Sequence, residues 1–168
     1  YFVDSLPFGL LWEQVSLPAV GQREDIDVLL FPNTYCPLRD TDYKKVVVIH
    51  SLTSYHGFSP GPYARFRQFA VPKVVEAADA VIAVSEYMCE EIVNRFDTPR
   101  EKVHVVHNGI DPVYLDETPP EPVDGLPDEY LLYVGALSKN KNIDGILDAY
   151  QLLREDHSIE AKLVLVGP

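Results

Sequence analysis

A glycine and two lysines stand close together in a segment that could bind an anion. Gly135 follows the apolar run Tyr130–Val134, and Lys139 and Lys141 precede an amphipathic stretch that begins at Ile143. A helix N-terminus presents unpaired backbone N–H groups and partial positive charge, and lysine adds ammonium groups, so this combination suits a phosphate. The segment contains neither GxxxxGK[ST] nor GxGxxG. Phosphate binding is therefore predicted from residue types and position alone.

A histidine followed by a hydroxyl-rich loop forms a second candidate site. His50 ends the apolar run 45–50, and the loop 51–60 contains Ser, Thr, Tyr, Gly and Pro, with Arg65 and Arg67 shortly beyond. Such a loop can hydrogen-bond a polyhydroxylated ligand, and an imidazole can donate, accept or transfer a proton. The alternative is a histidine at a strand end whose ring is held by a backbone carbonyl.

Two more polar pairs follow apolar runs. Ser85 and Glu86 come after the run 80–84, and Asn108 and Asp111 come after the run 103–107. A helix N-cap would account for Ser85, and an Asn-Gly turn would account for the second pair. Both interpretations stand beside a role in ligand binding.

No metal or cofactor is predicted. The triplet Asp40-Thr41-Asp42 spells DxD, a metal–diphosphate signature of some sugar transferases, but it precedes a strand and has basic neighbours, so a solvated loop is favoured. The two cysteines, Cys36 and Cys89, form no CxxC or Cys/His cluster with the spacing of a zinc site.

The elements that would position these residues alternate between strand and helix. Strands are predicted for the apolar runs 27–31, 45–50, 80–84, 103–107, 130–134 and 161–166. Helices are predicted over 10–20, ended or kinked by Pro18, over 62–78, interrupted at Pro72, over 85–96, and from Ile143 onward. Such alternation predicts an α/β fold with parallel sheets, in which ligands bind beyond the carboxyl ends of the strands.

The segment 112–128 is rich in proline and acidic residues and has no periodicity, so it is predicted to be a linker. It separates residues 1–111 from residues 129–168. A unit of the second size is too small to be stable alone, so we expect it to be the beginning of a longer domain.

The charge balance excludes some partners. Lys+Arg 14 against Asp+Glu 26 gives a net charge of −12, which argues against nucleic acid and against an anionic membrane as the main partner. No apolar run approaches the roughly 20 residues of a membrane span. We expect a cytoplasmic protein, with a peripheral position at the inner membrane face as an alternative that the sequence does not support. The acidity fits either ordinary solubility or adaptation to high salt.

Four segments together resemble the GT-B fold glycosyltransferases of the retaining family 4 group, which includes many mannosyl- and glucosyltransferases. The segments are Val46–His50, Ala78–Glu86, Val103–Asp111 and Tyr130–Asn142. The resemblance implies two Rossmann-like domains that face each other across a cleft. Residues 1–111 would be part of the N-terminal, acceptor-side domain, and residues 129–168 would begin the C-terminal, nucleotide-sugar-binding domain.

The resemblance also implies roles for individual residues. Lys141 would bind the donor diphosphate with Gly135, Lys139 and Asn142, and it would stabilise the leaving group. His50 would line the cleft near the transferred sugar. The remaining family positions lie at the cleft and the hinge, and they are Ser85, Glu86, Asn108 and Asp111.

The implied reaction is metal-independent transfer of a hexose from a nucleotide-diphosphate sugar, with retention of configuration, to a hydroxyl of a glycan, a lipid or another acceptor. The sequence departs from the family pattern at Ala136 and Asn140, where the family often has arginine. A nucleotide-sugar epimerase of the same fold and a non-catalytic nucleotide-sugar-binding protein therefore stay as alternatives. Because half of the donor pocket would lie outside these residues, the chain alone is predicted to be inactive.

Overall fold

The structure is a computed structural model that describes residues 9, 12–57, 61–115, 123–138 and 141–168. The chain forms two compact units, Tyr1–Ile110 and Asp111–Pro168. The assignment of these units to an acceptor side and a donor side stays a prediction.

The first unit is built on a four-stranded parallel sheet. Its strands are β1 (Val28–Phe31), β2 (Lys44–Ile49), β3 (Ala80–Ala83) and β4 (Val103–Val105), and they lie in the order β1-β2-β3-β4. The prediction of a parallel α/β sheet is confirmed. β4 is shorter than the predicted run 103–107, because the ladder with β3 ends at the pair Ala83 and Val105. All four strands end at one edge of the sheet, which is the carboxyl edge.

Helices connect these strands. A π-helical turn, Trp12–Ser16, leads into α1 (Leu17–Arg23), and the longer helices are α2 (Pro62–Ala77) and α3 (Glu86–Phe96). The predicted interruption at Pro72 is wrong, because α2 continues through this residue with Val71 and Val74 buried on either side of it. Apolar packing thus outweighs the loss of one helical hydrogen bond. α1 also continues past Pro18, which lies in its first turn, where no N–H partner is needed.

The core of the first unit lies between the sheet and its helices. On α3, the predicted apolar stripe is confirmed: Met88, Cys89 and Ile92 are buried, and Val93 and Phe96 pack against them. The remaining core side chains come mainly from β2, β3 and α2, and include Val47, Ile49, Val71, Val74, Val75, Val81, Ala83 and Val103.

The second unit begins with a 3₁₀ turn, Pro112–Leu115, inside the segment predicted to be a linker. Two parallel strands, β5 (Tyr130–Val134) and β6 (Lys162–Val166), follow with α4 (Ile143–His157) between them. The strand–helix–strand prediction is confirmed. No described residue of this unit is fully buried. Among the helices that the structure describes, none is long and apolar enough to cross a membrane.

Candidate functional site

His50 lies at the carboxyl edge of the first unit, directly after β2. Its Nε2 donates a hydrogen bond to the carbonyl oxygen of Pro32, 2.9 Å away, in the loop after β1. Because a carbonyl can only accept, this bond places the proton on Nε2 and leaves Nδ1 of the neutral ring as an acceptor. The structure thus forms the alternative proposed from the sequence, a strand-end histidine held by a carbonyl. The ring is exposed and oriented, and its role near a sugar stays a prediction.

The loop that follows His50 is fastened to α2 by hydrogen bonds. The Arg67 guanidinium donates to the carbonyl oxygen of Ser51 at 3.2 Å, and the Tyr55 hydroxyl donates to the carbonyl oxygen of Gln68 at 2.9 Å. The Gln68 amide in turn donates to the carbonyl oxygen of Ser54. These bonds hold the backbone of residues 51–55 in one position next to the strand ends.

The same loop is fastened to α3 through charged and aromatic side chains. His56 Nε2 lies 2.7 Å from a carboxylate oxygen of Glu91, and Arg95 donates to the other oxygen at 3.1 Å. The Arg95 guanidinium also lies over the ring of Tyr55. Burial acts to raise the pKa of Glu91, but the hydrogen bonds from His56 and Arg95 outweigh it, so this pKa is lowered. The carboxylate therefore stays ionised and keeps both partners.

Ser85 is the N-cap of α3, as one interpretation of the sequence predicted. Its backbone is extended, with φ −160° and ψ 162°, and its hydroxyl accepts a hydrogen bond from the backbone N–H of Met88 at 3.2 Å. Glu86 follows in the first turn, where its charge favours the helix dipole, and its side chain is exposed. Capping accounts for the serine, and a role for either residue in the cleft stays a prediction.

Replacing Ser85 with alanine is expected to lower the free energy of unfolding by about 1 kcal/mol, because the N–H of Met88 loses its partner. Urea denaturation followed by circular dichroism measures this change. Ser85→Asn, which keeps a capping oxygen, is the matched control and should stay close to the original stability. Equal losses in both variants would contradict the capping role.

Asn108 and Asp111 lie on the stretch that leads from the first unit to the second. The residues 106–111 form no hydrogen-bonded turn, so the turn predicted from Asn-Gly is wrong. The Asp111 carboxylate accepts a hydrogen bond from the backbone N–H of Val113 at 3.0 Å and so caps the following 3₁₀ turn. Asn108 is exposed. Their position at the hinge stays a prediction.

The glycine loop of the second unit follows β5. The N–H of Gly135 donates to the carbonyl oxygen of Val166 at 2.8 Å, and the N–H of Leu137 donates to that of Pro168 at 2.9 Å. A Cβ atom on Gly167 would overlap the carbonyl oxygen of Gly135, so the ends of β5 and β6 approach too closely for a side chain. Two amides of this loop are therefore already used, and an anion would have to bind nearer to α4.

Lys141 and Asn142 lie just before α4. The backbone N–H of Lys141 donates to the carbonyl oxygen of Ser138 at 2.9 Å, and the lysine is exposed. Asn142 adopts a left-handed conformation, with φ 52°, and its side chain lies over Gly145 without capping the helix. Lys139, which was predicted to bind the same diphosphate, lies outside the described residues.

A cavity of about 450 Å³ lies beside Lys141 on the second unit. Apart from Lys141 and Asn142 its walls are mainly apolar side chains of β5, α4 and β6, including Leu131, Leu132, Ile146, Leu153 and Leu163. Because apolar walls do not stabilise a phosphate, this cavity is not the predicted diphosphate site. That prediction depends on the loop between Gly135 and Asn142.

One further candidate residue at the carboxyl edge of the first unit, Tyr35, was not predicted from the sequence. Tyr35 follows β1, and its ring centroid lies 5.9 Å from that of Phe66. Burial is the main cause that raises the pKa of Tyr35 to about 12, and the neighbouring Tyr63 is the second. The rule that ligands bind beyond the carboxyl ends of parallel strands could have selected Tyr35, since it lies four residues after Phe31.

The Asp-Thr-Asp triplet lies at the opposite edge of the sheet. Asp40 and Asp42 line a cavity with Lys44 and Asp79, next to the amino ends of β2 and β3. Asp42 accepts a hydrogen bond from Gln22, and Asp79 pairs with Lys44 at 2.9 Å. Within the described part of the chain, no group of three or more His, Cys, Asp or Glu side chains could hold a metal ion.

Parallel strands joined by helices, with polar loops at their carboxyl ends, define an α/β protein of the Rossmann-like class. The model of the family described as Glycosyltransferase Family 4 matches residues 1–114. Since this match covers more than half of the 168 residues, the chain belongs to glycosyltransferase family 4, as the resemblance predicted.

The chain is also similar in sequence to known glycosyltransferases. The chain is 26% identical over 144 residues to the O-antigen chain mannosyltransferase B of Escherichia coli, covering 81% of this chain and 37% of that protein. It is 31% identical over 115 residues to a D-inositol 3-phosphate glycosyltransferase of Nocardioides sp., covering 65% of this chain and 25% of that protein. The chain thus spans well under half the length of these relatives.

One solved structure has a similar fold along nearly the whole chain. It is a glycosyltransferase from Rickettsia africae, with a TM-score of 0.50 and 15% sequence identity, covering 99% of this chain and 54% of that one. At this identity the likeness concerns the fold alone. It agrees with the Rossmann-like, GT-B type of fold predicted from the sequence.

Proposed function

We propose that the full-length protein is a glycosyltransferase that moves a hexose from a nucleotide-diphosphate sugar to a hydroxyl group of an acceptor. The observation that carries this proposal is the match of residues 1–114 to the family. The name of one relative, the O-antigen chain mannosyltransferase B of Escherichia coli, supports a hexose such as mannose as the transferred group.

The second unit supplies the proposed donor contacts. Lys141 stands before the N-terminus of α4, and Asn142 does not cap that helix. When the bond between the sugar and the diphosphate breaks, negative charge develops on the leaving oxygen, and an ammonium group with helix amides stabilises it. We assign Lys141 and the loop from Gly135 to this task, without a metal ion.

The proposed reaction retains the configuration at the sugar. The bond from the anomeric carbon to the diphosphate oxygen breaks, and the acceptor oxygen forms its new bond from the same side. The leaving diphosphate oxygen takes the proton of the acceptor hydroxyl, so atoms and charge balance. His50, held by Pro32 in one orientation, would present Nδ1 to a hydroxyl of the sugar or the acceptor.

Product analysis with labelled nucleotide sugars tests this function. The full-length protein is incubated with UDP-, GDP- and ADP-hexoses and a set of hydroxyl acceptors, with and without EDTA. We expect a glycosylated acceptor whose anomeric configuration, read by NMR, equals that of the donor, in the same yield with EDTA. An epimerised donor sugar would favour the epimerase, and binding with no turnover would favour a non-catalytic protein.

A further inference from the structure

We propose that Glu91, on α3, is a positioning residue for glycosyl transfer, since its carboxylate holds the end of the loop after β2 in place. The inference rests on the proposed function, because this loop begins directly after His50, the predicted cleft residue. Glu91 would act through the loop and not through a contact of its own with a substrate.

Two contacts between the loop and α3 meet on the carboxylate of Glu91. One of its oxygens lies 2.7 Å from Nε2 of His56, and the other accepts a hydrogen bond from Arg95 at 3.1 Å. The Arg95 guanidinium also lies 5.2 Å from the centre of the Tyr55 ring. Because Tyr55 and His56 are adjacent, a single carboxylate on α3 fixes two successive residues of the loop.

The carboxylate has to be charged to keep both partners. Each of its oxygens accepts a bond, whereas an amide or a protonated acid presents a donor in place of one acceptor. The Glu91 side chain is only 15% exposed, against 32% for His56 and 34% for Arg95, so solvent screens these bonds little. Burial raises the pKa of Glu91, but hydrogen bonds from His56 and Arg95 lower it by more, so the group is ionised at neutral pH.

The start of the same loop is held independently of Glu91. The Leu52 side chain is buried in the core, and the Tyr55 ring packs edge-on against Phe96 with 5.5 Å between the ring centroids. His56 comes after these anchors, at the exposed end of the loop. Loss of the carboxylate should therefore loosen the loop at His56 without detaching its start from the core.

An ordered loop lowers the free-energy cost of binding an acceptor. The loop carries hydroxyl groups suited to a polyhydroxylated ligand, among them those of Ser51 and the exposed Thr53. If the loop has to become ordered when the acceptor binds, the lost conformational entropy weakens the affinity. Glu91 is thus expected to affect the KM for the acceptor, whereas the proposed donor contacts lie on the second unit.

The test compares Glu91→Gln with the original full-length protein. Glutamine keeps the shape of glutamate but has one acceptor oxygen, so at least one of the two bonds is lost. With saturating donor and the acceptor identified by product analysis, the KM for the acceptor should rise about tenfold, because a charge-assisted hydrogen bond no longer orders the loop. Both kcat and the KM for the donor should stay unchanged.

Two further variants complete the kinetic test. Glu90→Gln makes the same chemical change at the neighbouring exposed glutamate of α3 and should leave all steady-state constants unchanged. His56→Phe keeps a ring but removes its nitrogens, so the KM for the acceptor should rise by a smaller factor, since Arg95 keeps its bond. This variant decides the matter if Glu91→Gln does not fold. A lower kcat with both KM values unchanged would show only a loss of folded protein and would overturn the positioning role.

Hydrogen–deuterium exchange separates this inference from the proposed function, because it needs no turnover. In peptides that cover residues 51–57, exchange should be up to about tenfold faster in Glu91→Gln than in the original protein, and unchanged in Glu90→Gln. Equal exchange in all three proteins would overturn the positioning role and leave the transferase intact. Faster exchange in Glu91→Gln, in a protein that transfers sugar to no acceptor, would contradict the transferase while confirming that Glu91 holds the loop.

Discussion

Replacing Lys141 with alanine in the full-length protein is expected to lower kcat/KM about 30- to 1000-fold, which corresponds to about 2–4 kcal/mol of transition-state stabilisation. The expectation follows from the charge that develops on the diphosphate as the bond to the sugar breaks. The ammonium group would interact more strongly with the leaving group in the transition state than with the intact donor. The loss should therefore appear in kcat as well as in KM.

The position of Lys141 explains why no other described side chain is expected to replace it. The N–H groups of Gly135 and Leu137 already donate to carbonyl oxygens at the end of β6, and the side chain of Asn142 lies over Gly145. The ammonium group of Lys141, at the start of α4, is therefore the main group with which the described residues can bind a diphosphate.

A matched control for this variant is Lys162→Ala, which removes an exposed lysine at the start of β6, the end of the strand opposite to Gly167. Its steady-state constants should equal those of the original protein. Lys141→Arg should recover part of the lost activity, because it restores the charge. An unchanged kcat/KM in Lys141→Ala would remove this lysine from the mechanism.

The alternation of strands and helices could be predicted because it depends on local patterns. Runs such as Val46–Ile49 are apolar at every position, which is typical of strands covered on both faces, and the stripe on α3 has helical spacing. The N-cap at Ser85 could be predicted for the same reason, since a cap needs only one residue and the helix that follows it.

Features that depend on distant residues could not be predicted. The hydrogen bond from His50 joins it to Pro32, and a hydrogen bond joins His56 to Glu91, 35 positions away. The residues next to each histidine in the sequence do not indicate which residue it contacts. The sequence did place Arg67 near the loop, but its hydrogen bond to the carbonyl oxygen of Ser51 is visible only in three dimensions.

The Asn-Gly pair and Pro72 show how local preferences are overruled. Asn-Gly favours a tight turn, but residues 106–111 form no hydrogen-bonded turn, and the N–H of Val106 instead donates to the carbonyl oxygen of Ala83 on β3 at 2.9 Å. Pro72 disfavours a helix interior, yet α2 is held on the core by valines on both sides. For Pro72 the packing of α2 on the core outweighs a local cost of about 3 kcal/mol.

Ile92→Ala is expected to lower the free energy of unfolding by about 2–5 kcal/mol, the range for removing a large aliphatic side chain from a packed core. Ile92 is fully buried and lies in the middle of α3, between the core residues of the sheet and the rest of the helix. Its side chain therefore anchors the helix whose first turn is capped by Ser85 and whose outer face binds His56 through Glu91.

Urea denaturation followed by circular dichroism measures this change. The variants Ile92→Val and Asn94→Ala are measured in the same way for comparison with Ile92→Ala. Ile92→Val should cost about 0.5–1.5 kcal/mol, and Asn94→Ala, on the exposed side of the same helix, should change stability by about 0.5 kcal/mol or less. A cost for Ile92→Ala as small as that for Asn94→Ala would mean that α3 does not pack on the sheet through this residue. The loop after β2 would then lack the rigid support on which its contacts with Glu91 and Arg95 depend.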